Sequence, residues 1–479
     1  MKMVKSLLLG TAAGLVAMSG AQAADLPVKA KPVQYVKICS LYGAGFYYIP
    51  GTDTCLKIGG FVRAEVNVQA GGSFSVLQTG AVHNAFQSND EFWRTRAGIT
   101  ADARSQTEYG TLRSYLIVAT TEDDGETGVV GATASTAPGT SGGLGVFNNA
   151  GGSGRGPYTR LWSNAAFIQL AGFTAGKTAS FWDFDNTPYS NQTNFWGGEY
   201  GGAGIDVFAY TAQFGNGLSA SLSVEQPDSR RMSIVSTNNP TTSPWQYGNN
   251  EVPDIVGNLR VDQSWGSAQL MGAYHQLRAV NSGGCCVVVL PETTATGDAF
   301  AVGGGVKFNV PMIGAKDYVI VQAAYSDGVL SYVGQGINGG FNLNGDNSLA
   351  EHFVGPAVDA VVLPGGSIDK TKAWSVTGGF EHWWNANWHS SLYGAYGKLE
   401  YSDAASAVLR PATALLGSSA NWNYTQIGSR TVWSPVPNLD LSVEVMYNNL
   451  QGAFASGTDT YGNKDWLSGI FRVQRNFYP

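Results

Sequence analysis

Apolar and polar residues alternate along the stretch from Cys55 to Gln69. Every second residue is apolar or small, and the residues between them are polar, charged or glycine, with the single exception of Phe61. A period of two residues predicts a β-strand with one apolar and one polar face. The stretch is longer than the roughly 5–6 residues of a typical globular strand. It suits a tilted strand that crosses a bilayer, which takes about 9–11 residues.

The pattern recurs with varying regularity along the chain and predicts fifteen further strands. Short connections and long polar loops alternate between them, which is typical of outer-membrane barrels. The even total lets the first and last strands pair, so that no sheet edge faces lipid. We therefore expect an all-β fold, a 16-stranded antiparallel transmembrane β-barrel with short periplasmic turns and long outer loops. The further strands are predicted near 92–104, 111–121, 159–170, 173–180, 205–214, 218–226, 252–264, 267–278, 298–309, 316–326, 372–384, 388–401, 421–434, 439–450 and 466–477.

A soluble all-β protein is the alternative, because it also has alternating strands. It does not explain why long strands recur or why loops and turns differ so consistently in length. Charged residues make up 13% of the chain, about half of the roughly 25% found in soluble domains. No run of 18 apolar residues follows the N-terminal region, so no spanning helix is predicted. A barrel of about 16–18 strands encloses an aqueous channel.

Residues 1–23 have the features of a secretory signal peptide. Lys2 and Lys5 precede an apolar segment, and Ala21-Gln22-Ala23 forms a cleavage site. We expect residues 24–479 to form one barrel domain in the bacterial outer membrane. Loss of the two lysines takes the formal net charge from −7 to −9. An acidic chain argues against nucleic-acid binding, and we expect a weak preference for cations.

The exported chain carries four cysteines into an oxidising compartment. Cys39 and Cys55 flank a glycine-rich turn just before the first strand, and we expect them to form a structural disulfide. Cys285 and Cys286 lie in a loop, where a strained vicinal disulfide and two free thiols are both open interpretations. Neither pair has zinc-ligand spacing with histidines, and we expect no metal and no cofactor.

Four segments resemble the alphaproteobacterial general porins: 39–60, 107–113, 170–177 and 471–477. They lie in order and span nearly the whole mature chain. The resemblance implies a sixteen-stranded outer-membrane porin, usually a homotrimer, that passes small hydrophilic solutes by diffusion. Its surroundings would be outer-membrane lipids and lipopolysaccharide.

Porins of this family fold their third outer loop into the lumen, and that loop corresponds here to 181–204. The loop carries no basic residue, and its aromatic residues are expected to pack it against the inner wall. We expect the loop to face a basic wall formed by the polar faces of the first strands. Fixed charges on the two sides would decide which ions pass. The acidic candidates are Asp183, Asp185 and Glu199, and the basic candidates are Arg63, Arg94, Arg96 and Arg113.

The longest loop, about 327–371, is expected to be a plain exposed loop, although Asp359 and other acidic residues in it would add negative charge at the channel mouth.

The sequence has no hydrolase elbow, zinc-protease motif or P-loop, so we expect no enzyme. A substrate-selective channel, for example for sugars, is one alternative to a passive channel. It would need aromatic residues spread along the lumen, whereas the sequence clusters them in one loop. A structural or adhesive surface barrel, plugged and non-conducting, is another. The clustered aromatic residues are Trp182, Phe184, Phe195 and Trp196.

Overall fold

The alternating stretches form a closed antiparallel barrel in a computed structural model of the protein. The structure describes residues 37–68, 91–123, 158–185, 204–236, 245–281, 293–334, 341–342, 353–355, 357–409, 419–452 and 464–477. Each wall strand pairs with the next, and the last pairs with the first, which confirms the predicted sixteen-stranded barrel. The wall strands in the described residues are β1 (Cys55–Val68), β2 (Glu91–Thr107), β3 (Gly110–Asp123), β4 (Tyr158–Trp162 and Ala166–Leu170), β5 (Phe173–Thr178), β6 (Ile205–Gly215), β7 (Leu218–Glu225), β8 (Asp254–Gln263), β9 (Gly266–Asn281), β10 (Thr293–Asn309), β11 (Tyr318–Asp327), β12 (Lys372–Trp383), β13 (Trp388–Glu400), β14 (Trp422–Val436), β15 (Leu439–Gly452) and β16 (Lys464–Phe477).

The predicted strands agree with the observed ones to within a few residues, except that the fourth is split. Two residues of β3, Ile117 and Val118, lie opposite three residues of β4, 163–165. One extra residue on one strand is a β-bulge, which bends the strand locally. The Ile117 N–H still donates to the Ala165 carbonyl at 2.9 Å, so pairing resumes on both sides of the bulge.

The two faces of the wall differ as the alternation predicts. Large apolar side chains stand exposed on the outer face, such as Phe208 at 73% and Leu270 at 66% exposure. On β1, Val62 is 49% exposed, whereas Glu65 points inward and is 2% exposed. An apolar outer face around a polar inner face is the arrangement of a barrel in lipid.

The other described elements are short and lie between the wall strands. None of the described helices is long and apolar enough to cross a membrane. These elements are the strands Tyr47–Tyr48, Ile234–Val235, Trp245–Tyr247, Phe341–Asn342, Phe353–Gly355, Ala360–Val362 and Ile368–Lys370, the 3-10 turns Ser40–Tyr42, Pro227–Arg230 and Leu330–Tyr332, and the helix Asp403–Leu409.

Several outer loops cover part of the inner face. Loop 4 (226–253), loop 6 (328–371) and loop 7 (401–421) bury apolar side chains against the inner face of strands β8 to β15. The prediction that residues 327–371 form a plain exposed loop is wrong for the described part, because Leu330 and Tyr332 are completely buried there. The loops and the inner wall therefore share an apolar core, which we call the inner core.

Asp359 holds loop 6 against loop 4. Its buried carboxylate accepts hydrogen bonds from the N–H groups of Met232 (2.7 Å) and Leu330 (2.8 Å) and from the Tyr247 hydroxyl (2.7 Å). Burial raises the pKa of Asp359 above its usual value, because the charged carboxylate has lost its water. The three hydrogen bonds offset part of that cost and join the two loops.

Cys39 and Cys55 form the predicted disulfide. Tyr47–Tyr48 pairs with the first residues of β1. The Arg104 guanidinium of β2 lies 5.7 Å from the Tyr42 ring centroid and 5.0 Å from that of Phe46. The segment closed by the disulfide therefore packs beside the turn-side ends of β1 and β2.

Serine at both Cys39 and Cys55 should loosen this segment without opening the barrel. The two residues are 16 apart, and a disulfide over a loop of about that length contributes about 3 kcal/mol. We expect faster chymotrypsin cleavage at Tyr42 and Phe46 in the detergent-folded protein. The control is serine at Cys285 and Cys286, which lie outside the described residues. Equal cleavage of the two variants would contradict the prediction.

Candidate pore constriction

Loop 3 (179–204), between β5 and β6, turns into the lumen as soon as β5 ends. Glu225, at the outer end of β7, is 1% exposed. Its carboxylate accepts hydrogen bonds from the Ser180 hydroxyl (2.6 Å), the Phe181 N–H (2.9 Å) and the Ser223 hydroxyl (2.8 Å). This carboxylate therefore fixes the start of loop 3 to the inner face, two strands away from β5.

Loop 3 then crosses the inner faces of β8 and β9. The Asn258 amide of β8 donates to the Phe181 carbonyl at 2.6 Å. The Gln269 amide of β9 donates to the carbonyls of Trp182 (3.2 Å) and Asp183 (3.1 Å). Inward-facing amides thus take the place of water for the backbone of the entering loop, as buried carbonyl groups require. The described part of loop 3 confirms the inward fold.

Two glycines of β10 make room for the aromatic residues of loop 3. Trp182 is completely buried, and a Cβ added to Gly303 would lie 3.1 Å from its ring. A Cβ added to Gly305 would overlap the Phe184 ring. Both aromatic rings therefore pack against the wall, where they anchor the loop and present little surface to a passing solute. Phe195 and Trp196 lie outside the described residues.

The structure brings the described acidic residues of loop 3 to two arginines that sequence analysis did not single out. Asp183 pairs with Arg230 of loop 4 at 3.3 Å. Asp185 pairs with Arg260 of β8 at 3.5 Å and accepts a hydrogen bond from the Ser267 hydroxyl at 2.9 Å. Glu199, the third acidic candidate, lies outside the described residues.

An open cavity of about 680 Å³ lies beside the turn between β8 and β9. Asp185, Arg260 and Ser267 are among the residues that line it, together with Lys307 of β10. The described end of loop 3 therefore reaches the part of the inner wall close to the short-turn side of the barrel.

Three of the predicted basic residues share the inner face of β1 and β2. Arg63 lies opposite Arg96 in the strand register, and Arg94 lies opposite Glu65. The Arg63 Nε donates to the Gln474 side chain of β16 at 2.7 Å. The Arg96 guanidinium lies 5.6 Å from the centroid of a tryptophan ring of β4. This group forms a basic patch around the seam where β16 meets β1.

Arg113, the fourth basic candidate, lies closer to the short-turn side. It pairs with Asp102 at 3.0 Å, and Arg104 pairs with the same carboxylate at 2.7 Å. The Arg113 guanidinium also lies 5.3 Å from the ring centroids of Tyr115 and Phe167. Asp102 is therefore a wall partner that holds two arginines in one cluster.

Sequence analysis missed Arg472, Arg260 and Arg230. Arg472 of β16 pairs with Glu65 at 2.7 Å, and both side chains are nearly inaccessible. Arg472 and Arg260 lie on the polar faces of predicted strands, so the same alternation that identified Arg63 would have found them. Arg230 lies in a loop, where no periodic pattern gives a signal.

Comparisons with known proteins agree with this architecture. A protein-family profile described as Porin subfamily matches residues 25–470. Porin Omp2b of Brucella abortus is 32% identical over 280 residues, which cover 57% of this chain and 66% of that protein. Porin Omp2b of Brucella melitensis matches to the same extent. The chain thus spans slightly less than two thirds of the length of these relatives.

A solved structure, the outer membrane channel DcaP of Acinetobacter baumannii, aligns with a TM-score of 0.57 and 14% identity. The alignment covers 90% of this chain and 99% of that one. At this identity the likeness concerns the fold alone. Together with the family match and the closed sixteen-stranded wall, it leads to one conclusion: the chain belongs to the porin subfamily and is a bacterial outer-membrane β-barrel.

Proposed function

We propose that this protein is a passive diffusion channel for small hydrophilic solutes and ions. The observation that carries the proposal is the closed wall of sixteen strands with a charged inner face and an apolar outer face. Family membership indicates a channel rather than an enzyme. The family resemblance also supports a homotrimer, in which exposed apolar side chains of the outer face meet a second copy or membrane lipid, with lipopolysaccharide at the outer leaflet.

The constriction lies between loop 3 and the basic patch at the seam. Loop 3 is fixed against β7 to β10, whereas Arg63, Arg94 and Arg96 belong to β1 and β2, on another part of the wall. Two unit charges about 10 Å apart interact by roughly 0.4–1.7 kcal/mol at effective dielectric constants of 20–80. Such energies bias the passage of a charged solute without trapping it.

Ion preference depends on charge close to the passage, because salt screens fields beyond about 8–10 Å. The net charge of the chain predicts a weak cation preference, but it includes residues far from the lumen. Asp183 and Asp185 are already paired with arginines, and the inner face around the seam is mainly basic. We therefore propose a local preference for anions. The described charged side chains on the inner faces of β16, β1, β2 and β3 are Lys57, Arg63, Arg94, Arg96, Arg104, Arg113 and Arg472, against Glu65 and Asp102.

The reversal potential in a planar bilayer under a salt gradient tests this proposal. We expect the unaltered protein to prefer anions, and glutamine at both Arg63 and Arg96 to shift the permeability ratio towards cations by roughly twofold to tenfold. Glutamine at Arg475 is the control. Arg475 is exposed and lies opposite the outward-facing Val62 in the strand register, so its substitution should leave the permeability ratio unchanged. A clear cation preference of the unaltered protein would favour the prediction from net charge instead.

Recordings of current in the same bilayer also test the two alternative functions, a sugar-selective channel and a structural or adhesive barrel. A sugar-selective channel needs aromatic side chains along the water path, and Trp182 and Phe184 are instead buried against the wall. Saturable block by one sugar would support that alternative. A structural or adhesive barrel would carry no current.

A further inference from the structure

Loop 4 contains a completely buried arginine, Arg230, at the end of the turn Pro227–Arg230. Its guanidinium pairs with Asp183 of loop 3 at 3.3 Å and donates to the Ser331 carbonyl of loop 6 at 3.2 Å. It also lies 4.5 Å from the centroid of the Tyr332 ring. One side chain therefore contacts the constriction loop and a second outer loop at the same time.

Tyr332 connects the same two loops by a second route. Its ring lies 4.9 Å from the Trp182 ring of loop 3, and its hydroxyl donates to Asp254 at the outer end of β8 at 2.7 Å. Burial, with the Asp254 carboxylate next in effect, raises the pKa of Tyr332 well above its usual value, so the hydroxyl stays a neutral donor. Arg230 and Tyr332 together thus form a platform under Trp182 and Asp183.

The platform is itself held in place. The Ser331 hydroxyl donates back to the Arg230 carbonyl at 2.6 Å. Asp359 joins the neighbouring residues Met232 and Leu330 through their N–H groups. A planar guanidinium with several donors in fixed directions suits such a junction, because it holds partners in one geometry where an ammonium group would not.

We infer that Arg230 is a positioning residue for the constriction: it fixes loop 3 through Asp183, so that the width of the passage depends on loops 4 and 6. The inference rests on the proposed channel function and extends it. Arg230 is too deeply buried to touch a solute in the described structure. Its influence on conduction would act through the position of loop 3 alone.

Single-channel recordings of the full-length protein test the inference. With methionine at Arg230, we expect the conductance to change by about twofold and the open-channel noise to rise, because loop 3 has lost a fixed contact. Lysine at Arg230 keeps the positive charge but loses the planar guanidinium that donates in several fixed directions. We expect its conductance to lie between those of the unaltered protein and the methionine variant. Methionine at the neighbouring Arg231 is the matched control, because Arg231 contacts Asp228 and the Gly248 carbonyl within loop 4. It should conduct like the unaltered protein.

A conductance distribution of the Arg230 methionine variant that matches the unaltered protein would overturn the inference. If that variant does not fold, asparagine at Asp183 weakens the same contact from the loop 3 side, and an unchanged conductance there has the same meaning. The unaltered protein separates the two proposals. If it carries no current, the channel function fails, whereas if it conducts and the variants do not differ from it, only the role of Arg230 fails.

Discussion

Methionine in place of Arg472 should lower the free energy of unfolding of the barrel by about 3–5 kcal/mol. Arg472 and Glu65 pair at 2.7 Å across the seam between β16 and β1, with side-chain exposures of 9% and 0%. Removal of the guanidinium takes away the arginine that hydrogen-bonds a buried carboxylate at the place where the sheet closes. Urea unfolding of the protein in lipid vesicles, followed by tryptophan fluorescence, measures the change.

Methionine at Arg475 is the control for the seam prediction, because this arginine is exposed three residues further along β16. Arg475 lies on the outer face near the short-turn end of β16, and a change of a charged residue close to the membrane interface should alter the free energy of unfolding by no more than about 1 kcal/mol. A second variant that adds leucine at Glu65 to methionine at Arg472 should recover much of the loss, since it removes the buried charge as well. The seam argument fails if the variants at Arg472 and Arg475 unfold alike.

Valine in place of Gly305 should reduce the single-channel conductance by about half or more. The added side chain would occupy space that the Phe184 ring now fills. Phe184 and the loop 3 backbone beside it would then move towards the lumen. Overpacking of this kind costs about 1–3 kcal/mol, so we expect a folded barrel with a narrower passage.

Alanine at Gly272 is the control for the loop 3 prediction. Gly272 lies on the outer face of β9, and a Cβ there would make only an ordinary contact with the Ala301 carbonyl at 3.9 Å. We expect no change of conductance in this variant. A Gly305 variant with the conductance of the unaltered protein would mean that Phe184 does not hold loop 3 in place.

The wall could be predicted from sequence because one physical requirement acts on every strand. Lipid outside and water inside impose a period of two residues on each strand. The one exception in β1 does not disturb the pairing of the strands. Phe61 interrupts the polar face of β1, and it lies opposite Gly98, where a Cβ would come within 2.8 Å of its ring. The Arg63 guanidinium lies 5.5 Å from the ring centroid. An aromatic ring is accommodated there because its neighbour has no side chain.

The candidate site could be predicted only in part. Arg63, Arg94 and Arg96 come from strands, so alternation alone places them on one face. The partner of Asp183 was not predicted, because Arg230 reaches loop 3 from another loop. Arg260, the partner of Asp185, lies on the polar face of a predicted strand, but its pairing depends on where loop 3 crosses the wall. Such contacts depend on how loops pack in space, and no local pattern records them. The bulge in β4 was missed for a related reason, since it depends on how the strand pairs with β3.

This membrane protein covers apolar surface in two separate places, on the outer face of the barrel and in the inner core. Side chains on the outer face are shielded by acyl chains, whereas Leu330, Tyr332 and the wall residues they touch are shielded from water by other protein groups, as in a soluble domain. Burial in the inner core, and the positive heat capacity of unfolding that accompanies it, depends on protein groups alone. A change of lipid or detergent therefore affects the outer face and leaves the inner core unchanged.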